Sequence, residues 1–106
     1  MHIRLSLMKS LASTDHVRRN ECPVAFHCDA DPTSRVSLVG TFNHWQPGQT
    51  LLVDPEGEGR FRLRLRLPPG EIEYKFVIDD EWVADVECPR WCVNEHGSLN
   101  SVREVK

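Results

Sequence analysis

Three tryptophans, four cysteines, five histidines and sixteen carboxylates are the side chains of this chain with the means to do chemistry. Catalysis needs a nucleophile, a base or a metal converging in one cleft. Hydrolysis of a glycosidic bond needs two positioned carboxylates. Here most carboxylates fall in turn-like stretches such as Asp54–Glu58 and Asp79–Glu81. The histidines are scattered, and no H-E-x-x-H, G-x-S-x-G or phosphate-loop pattern occurs. The residues therefore point away from an enzyme and call for no cofactor. Cys22, Cys28, Cys88 and Cys92 are spaced C-x5-C and C-x3-C, unlike the C-x2-C of common zinc sites. Small buried thiols are the plain expectation; a four-thiolate metal site and a disulfide both stay open. The tryptophans differ from the other aromatics. Trp45 stands in the polar stretch Asn43–Gly48, Trp82 follows an acidic turn, and Trp91 lies between Arg90 and Cys92 in what reads as a loop. Indoles in loops either cap the core edge or meet a ligand.

The elements that must position these side chains read as strands from Cys22 onward. Val24, Phe26 and Cys28 alternate with Ala25 and His27. Arg35–Val39 forms a second strand closed by Gly40, and Leu51–Val53 a short third, before the turn signal Asp54–Gly59. Arg60–Leu67 reads RFRLRLRL, with Phe61, Leu63, Leu65 and Leu67 on one face and four arginines on the other. Such period-two alternation means a half-buried strand, and the arginine row reads as its solvated face. After Pro68–Gly70, Ile72, Tyr74, Phe76 and Ile78 point inward and Glu73, Lys75 and Val77 outward. A strand starts at Glu81, Asp85–Gly97 reads as a loop, and Ser98–Val105 is the last strand. The implied fold class is all-β: an immunoglobulin-like antiparallel β-sandwich of about seven to eight strands. The core has its own aromatics in Phe26, Phe61, Tyr74 and Phe76.

A chain of 106 residues suits one domain. Its net charge of −3 argues against nucleic acid as a partner, and no apolar run approaches the ~20 residues of a membrane span. Arg4 and Lys9 interrupt the apolar residues of the N-terminus, so no signal-peptide core forms. Residues 1–20 read as a flexible tail compatible with a short helix over Ile3–Leu11, residues 21–106 as the folded module, and the cytoplasm as the compartment.

Three segments carry a resemblance: VSLVGTFNHW (36–45), LPPGEIEYKFVIDDEWVADVECP (67–89) and GSLNSVREV (97–105). Together, in this order and spacing, they resemble the family 48 carbohydrate-binding modules. That family includes the glycogen-binding domain of the AMP-activated protein kinase beta subunit and sandwich domains of branching and debranching enzymes. The resemblance implies non-catalytic binding of α-1,4-linked glucan, as glycogen, starch or maltodextrin. It places Trp45 and Trp82 on a sugar-stacking platform, and Lys75 and Asn100 in hydrogen-bonding roles toward sugar hydroxyls. It gives Ser98 a position where the kinase domain has a threonine, and His96 a position where that domain has an apolar leucine. Strand alternation agrees on one point: Lys75 lies between Tyr74 and Phe76 and so faces away from the core. Two other expectations stand beside this one. The module could dock a glycogen-metabolising enzyme or a kinase as a regulatory part, or its cysteines could sense redox state or hold a metal.

Overall fold

A computed structural model describes residues 20–106. The tail and the short helix expected before them lie outside the described residues. Seven strands occur in chain order: β1 (Cys22–Asp29), β2 (Val36–Gly40), β3 (Arg60–Leu67), β4 (Gly70–Ile78), β5 (Glu81–Val83), β6 (Trp91–Val93) and β7 (Leu99–Val105). They make two antiparallel sheets, β1-β3 and β2-β4-β7-β6, with β5 added beside β4. No described residue is helical. The described residues are therefore all-β, with a sandwich of the immunoglobulin-like kind.

Alternation builds the interior. Val24, Phe26 and Cys28 of β1 and Phe61 and Leu67 of β3 face Val36 and Leu38 of β2 and Ile72, Tyr74 and Phe76 of β4. Phe26 meets the Tyr74 ring edge-on at 5.1 Å, and Tyr74 meets Phe76 at 6.0 Å. The one hydroxyl among these rings is satisfied: Tyr74 donates to Asp85 Oδ2 at 2.7 Å. Burial, and then that hydrogen bond, raise the Tyr74 phenol well above its ordinary range. Arg103 closes the other side of Phe26, its guanidinium 5.2 Å from the ring centroid while it donates to Ala25 O at 2.6 Å. The β3 arginines are exposed as their alternation requires, and Arg62 pairs with Glu56 at 3.1 Å.

Two expectations need correction. Leu51–Val53 is not a strand. Leu51 bridges to Ser37 on β2, and Val53 bridges to Arg62 on β3. This segment crosses from one sheet to the other, so it never makes consecutive pairs on either, and Leu52 is buried at the crossing. Conversely, Asp85–Gly97 is not all loop, since Trp91–Val93 pairs with Leu99–Ser101. Trp91 thus stands on a strand, on the same side of the sheet as Tyr74, yet it is 62% exposed. The covering sheet has only two strands and does not shelter that edge.

β4 sits in the middle. One face holds Ile72, Tyr74 and Phe76 in the core, and the other carries Glu73, Lys75 and Val77. The outer face is less wet than alternation suggests: Val39, Lys75 and Val77 are all buried. Val39 lies opposite Lys75, and Val77 opposite Trp82, so these side chains make a thin second layer on the outside of the sheet.

Candidate carbohydrate-binding site

The outer face of β4 is the floor of a concavity of about 710 Å³. Trp45, Lys75, Trp82, His96, Ser98 and Asn100, all singled out from the sequence, line it together. They come from the loop after β2, from β4, β5 and β7, and from the β6–β7 hairpin.

Trp82 is placed by a two-residue turn. Asp79 and Asp80 have φ of 48° and 73°, and Ile78 pairs with Glu81, so β5 folds straight back on β4. Asp79 fastens this turn to the start of β2 by accepting from the Arg35 amide at 2.9 Å, a contact that holds its carboxyl below the usual range. Trp82, opposite Val77, then faces outward and is 44% exposed.

Trp45 is placed by backbone strain. His44 and Trp45 both have φ of 57°, the left-handed region that non-glycine residues rarely enter. Asn43 holds the loop there. Its Oδ1 accepts from the Gly40 amide at 2.9 Å, and its Nδ2 donates to Leu38 O at 2.9 Å and Thr50 Oγ1 at 3.2 Å. The Trp45 amide donates to Gly40 O at 3.0 Å. The indole is half-buried, so it is less open than a ring lying free on the surface. Asn43→Ala would remove three hydrogen bonds from a loop already strained. We expect it to cost about 1–2 kcal/mol of stability and to weaken carbohydrate binding several-fold, read by thermal melting and by retention on glycogen.

The polar side is a connected network. Lys75 Nζ donates to Ser98 Oγ at 2.9 Å. Asn94 Nδ2 donates to Ser98 Oγ at 2.8 Å and to Asn100 Oδ1 at 3.0 Å. Asn100 Nδ2 donates to Glu73 Oε1 at 3.0 Å, and the Cys92 thiol donates to the same oxygen at 3.3 Å. Asn100 and then Cys92 hold Glu73 below the usual carboxylate range. Partial burial, and then the Glu73 carboxylate, push the Cys92 thiol up. Lys75 is outward-facing as expected but only 6% exposed, with its ammonium drawn onto Ser98 of the hairpin. It is a braced donor and not a free one. His96 sits on the turn Asn94–Gly97, where Asn94 Oδ1 accepts from the amides of His96 and Ser98 at 2.9 and 3.1 Å. Its side chain is 81% exposed.

Thr41, Glu73, Asn94 and Glu95 also line the concavity and were not singled out from the sequence. Glu73 was within reach, since it lies two residues from Lys75 and must share its face. Asn94 followed by Gly97 is a turn signal that marks a hairpin once β6 is known. The cysteines fill other roles. All four are free thiols. Burial pushes Cys28 up to about 11, and Cys88 donates to Val102 O at 3.2 Å. Among the described residues no group of three or more His, Cys, Asp or Glu is arranged to hold a metal ion.

Comparison with known proteins bears on this arrangement. The profile described as the glycogen recognition site of AMP-activated protein kinase matches residues 22–106. Protein FLOURY ENDOSPERM 6, chloroplastic, of Oryza sativa subsp. japonica is 36% identical over 76 residues, covering 72% of this chain and 14% of that protein. The 5'-AMP-activated protein kinase subunit beta-1 of Sus scrofa is 34% identical over 71 residues, covering 67% of this chain and 54% of that one. The SNF1 protein kinase subunit beta-2 of Saccharomyces cerevisiae is 35% identical over 48 residues, covering 45% of this chain and 12% of that one. The chain thus spans between about an eighth and about a half of the length of these relatives. With its sandwich fold and a profile match running through every strand, the chain belongs to the family of the glycogen recognition site of AMP-activated protein kinase, carbohydrate-binding modules of the family 48 type.

Proposed function

We propose that this module binds α-1,4-linked glucan without catalysing any reaction, with Trp45 and Trp82 stacking on glucosyl rings. The observation that carries this reading is the meeting of two indoles and a hydroxyl-seeking network around one open concavity. A glucose ring has an apolar C–H face and a rim of hydroxyls. An indole offers a flat apolar surface with a negative face, suited to polarised C–H groups. Lys75, Ser98, Asn94 and Asn100 supply donors and acceptors already held by one another, so little ordering is needed when a sugar arrives. A stack that buries roughly 100 Å² of apolar surface contributes ~2.5 kcal/mol before the cost of ordering the chain. The net affinity per site is then weak, with Kd on the order of 10⁻³ to 10⁻⁵ M, and a polymer of repeated sites compensates through avidity. His96 on the hairpin reaches toward the sugar with a polar ring.

Affinity electrophoresis of the folded protein in gels containing glycogen, amylose, β-cyclodextrin or cellulose tests the reading. Retardation by the three α-glucans and none by cellulose is expected. Equal mobility in all gels would overturn it. A second reading, docking on a protein kinase or glycogen-metabolising enzyme, draws on relatives named as kinase subunits. Co-purification with such a partner after glucan has been digested away would favour it.

A further inference from the structure

We infer that the concavity selects electrically neutral glucan and rejects chains bearing phosphate or carboxylate groups, through the Glu73 carboxylate set in its floor. This rests on the glucan-binding reading above. The charged groups facing the concavity are Lys75, Glu73 and Glu95, with the His96 imidazole beside them. The Lys75 cation is drawn down onto Ser98 and its residue is 6% exposed. The Glu95 carboxylate is 87% exposed at the rim, 3.7 Å from His96 Nε2. Glu73 is half-buried and fixed: Asn100 and Cys92 both donate to Oε1, and Oε2 accepts nothing from the described residues. A sugar hydroxyl can donate to that free oxygen in a charge-assisted bond, and an anionic substituent cannot. The wider field has the same sign. Of thirteen Lys and Arg and sixteen Asp and Glu, residues 1–19 hold four and one, which leaves nine against fifteen and a net −6 over residues 20–106. Four of those nine cations lie on β3, in the opposite sheet. An approaching phosphate ester therefore meets repulsion both in the floor and across the face.

Isothermal titration with maltoheptaose, and with maltoheptaose carrying a phosphate ester on one 6-hydroxyl, tests this. The wild-type protein should bind the phosphorylated chain roughly tenfold more weakly at low salt. Glu73→Gln keeps an acceptor for Asn100 and removes the charge. It should narrow the ratio between the two ligands to about two- or threefold, whatever it does to affinity for the neutral chain. Raising salt should narrow the ratio in the unmutated protein as well, which serves if the variant fails to fold. Equal binding of both ligands by the wild type, or a ratio that a folded Glu73→Gln variant leaves unchanged whatever salt does, overturns the inference and leaves glucan binding standing. Binding of neither ligand sinks the glucan reading itself, and this inference with it.

Discussion

The double variant Trp45→Ala/Trp82→Ala should lose all measurable retention on glycogen while melting within a few degrees of the wild type. Each truncation removes about 2.5 kcal/mol of gross stacking, of which a fraction survives as net affinity. A single change should cost roughly tenfold to thirtyfold, and both together carry a millimolar site beyond detection. Stability should change little because neither indole belongs to the buried cluster around Phe26, Tyr74 and Phe76. Trp82 is 44% exposed already. Trp45 is half-buried against the outer layer and sets the upper bound on the cost. Co-sedimentation with glycogen, run beside a thermal melt, reads both arms. A folded double variant that still sediments with glycogen would show that the indoles are not the platform.

Gly40→Ala should be among the most damaging single changes in the described residues outside the core. A Cβ at Gly40 would lie 2.6 Å from Glu73 O and 2.6 Å from Phe42 Cε1. The ring can swing away, but the carbonyl cannot: it belongs to β4 and already accepts from the Thr41 amide at 3.0 Å. Relief requires β2 to separate from β4 where their pairing ends at Gly40 and Tyr74. Overpacking of this kind costs about 2–3 kcal/mol, which for a domain of this size lowers Tm on the order of 10–20 °C. Glucan affinity should fall as well, because Gly40 receives and gives the hydrogen bonds that hold Asn43 and Trp45. Calorimetry of the variant checks the first effect and titration with maltoheptaose the second. A shift in Tm of under 3 °C would mean that the strands give more easily than the geometry allows.

The strands that proved legible were those whose two faces differ. RFRLRLRL on β3 and the inward set on β4 announce themselves by alternation alone, because each packs one face and wets the other. Leu51–Val53 misled because its apolar run is used to change sheets. β6 was hidden because three residues flanked by turn signals carry too little pattern to be separated from a loop. The site divides in the same way. Motif resemblance found six of its residues, and alternation accounts for the outward aim of Lys75. Neither shows that Lys75 is covered, since its cover comes from a hairpin more than twenty residues away in sequence. Nor does either reveal that Glu73 and Asn94 complete the network, because that depends on which strands become neighbours.

β4 carries core and ligand floor on alternate residues of one strand, and this constrains how such modules can diverge. Insertion or deletion of a single residue in β4 would exchange the two sets and cost both packing and recognition. Substitutions facing outward leave the frame intact, and so do exchanges at the exposed hairpin tip, Glu95 and His96. Ligand preference can therefore drift by exchange along the strand and by remodelling at the hairpin tip, while the reading frame of β4 stays fixed.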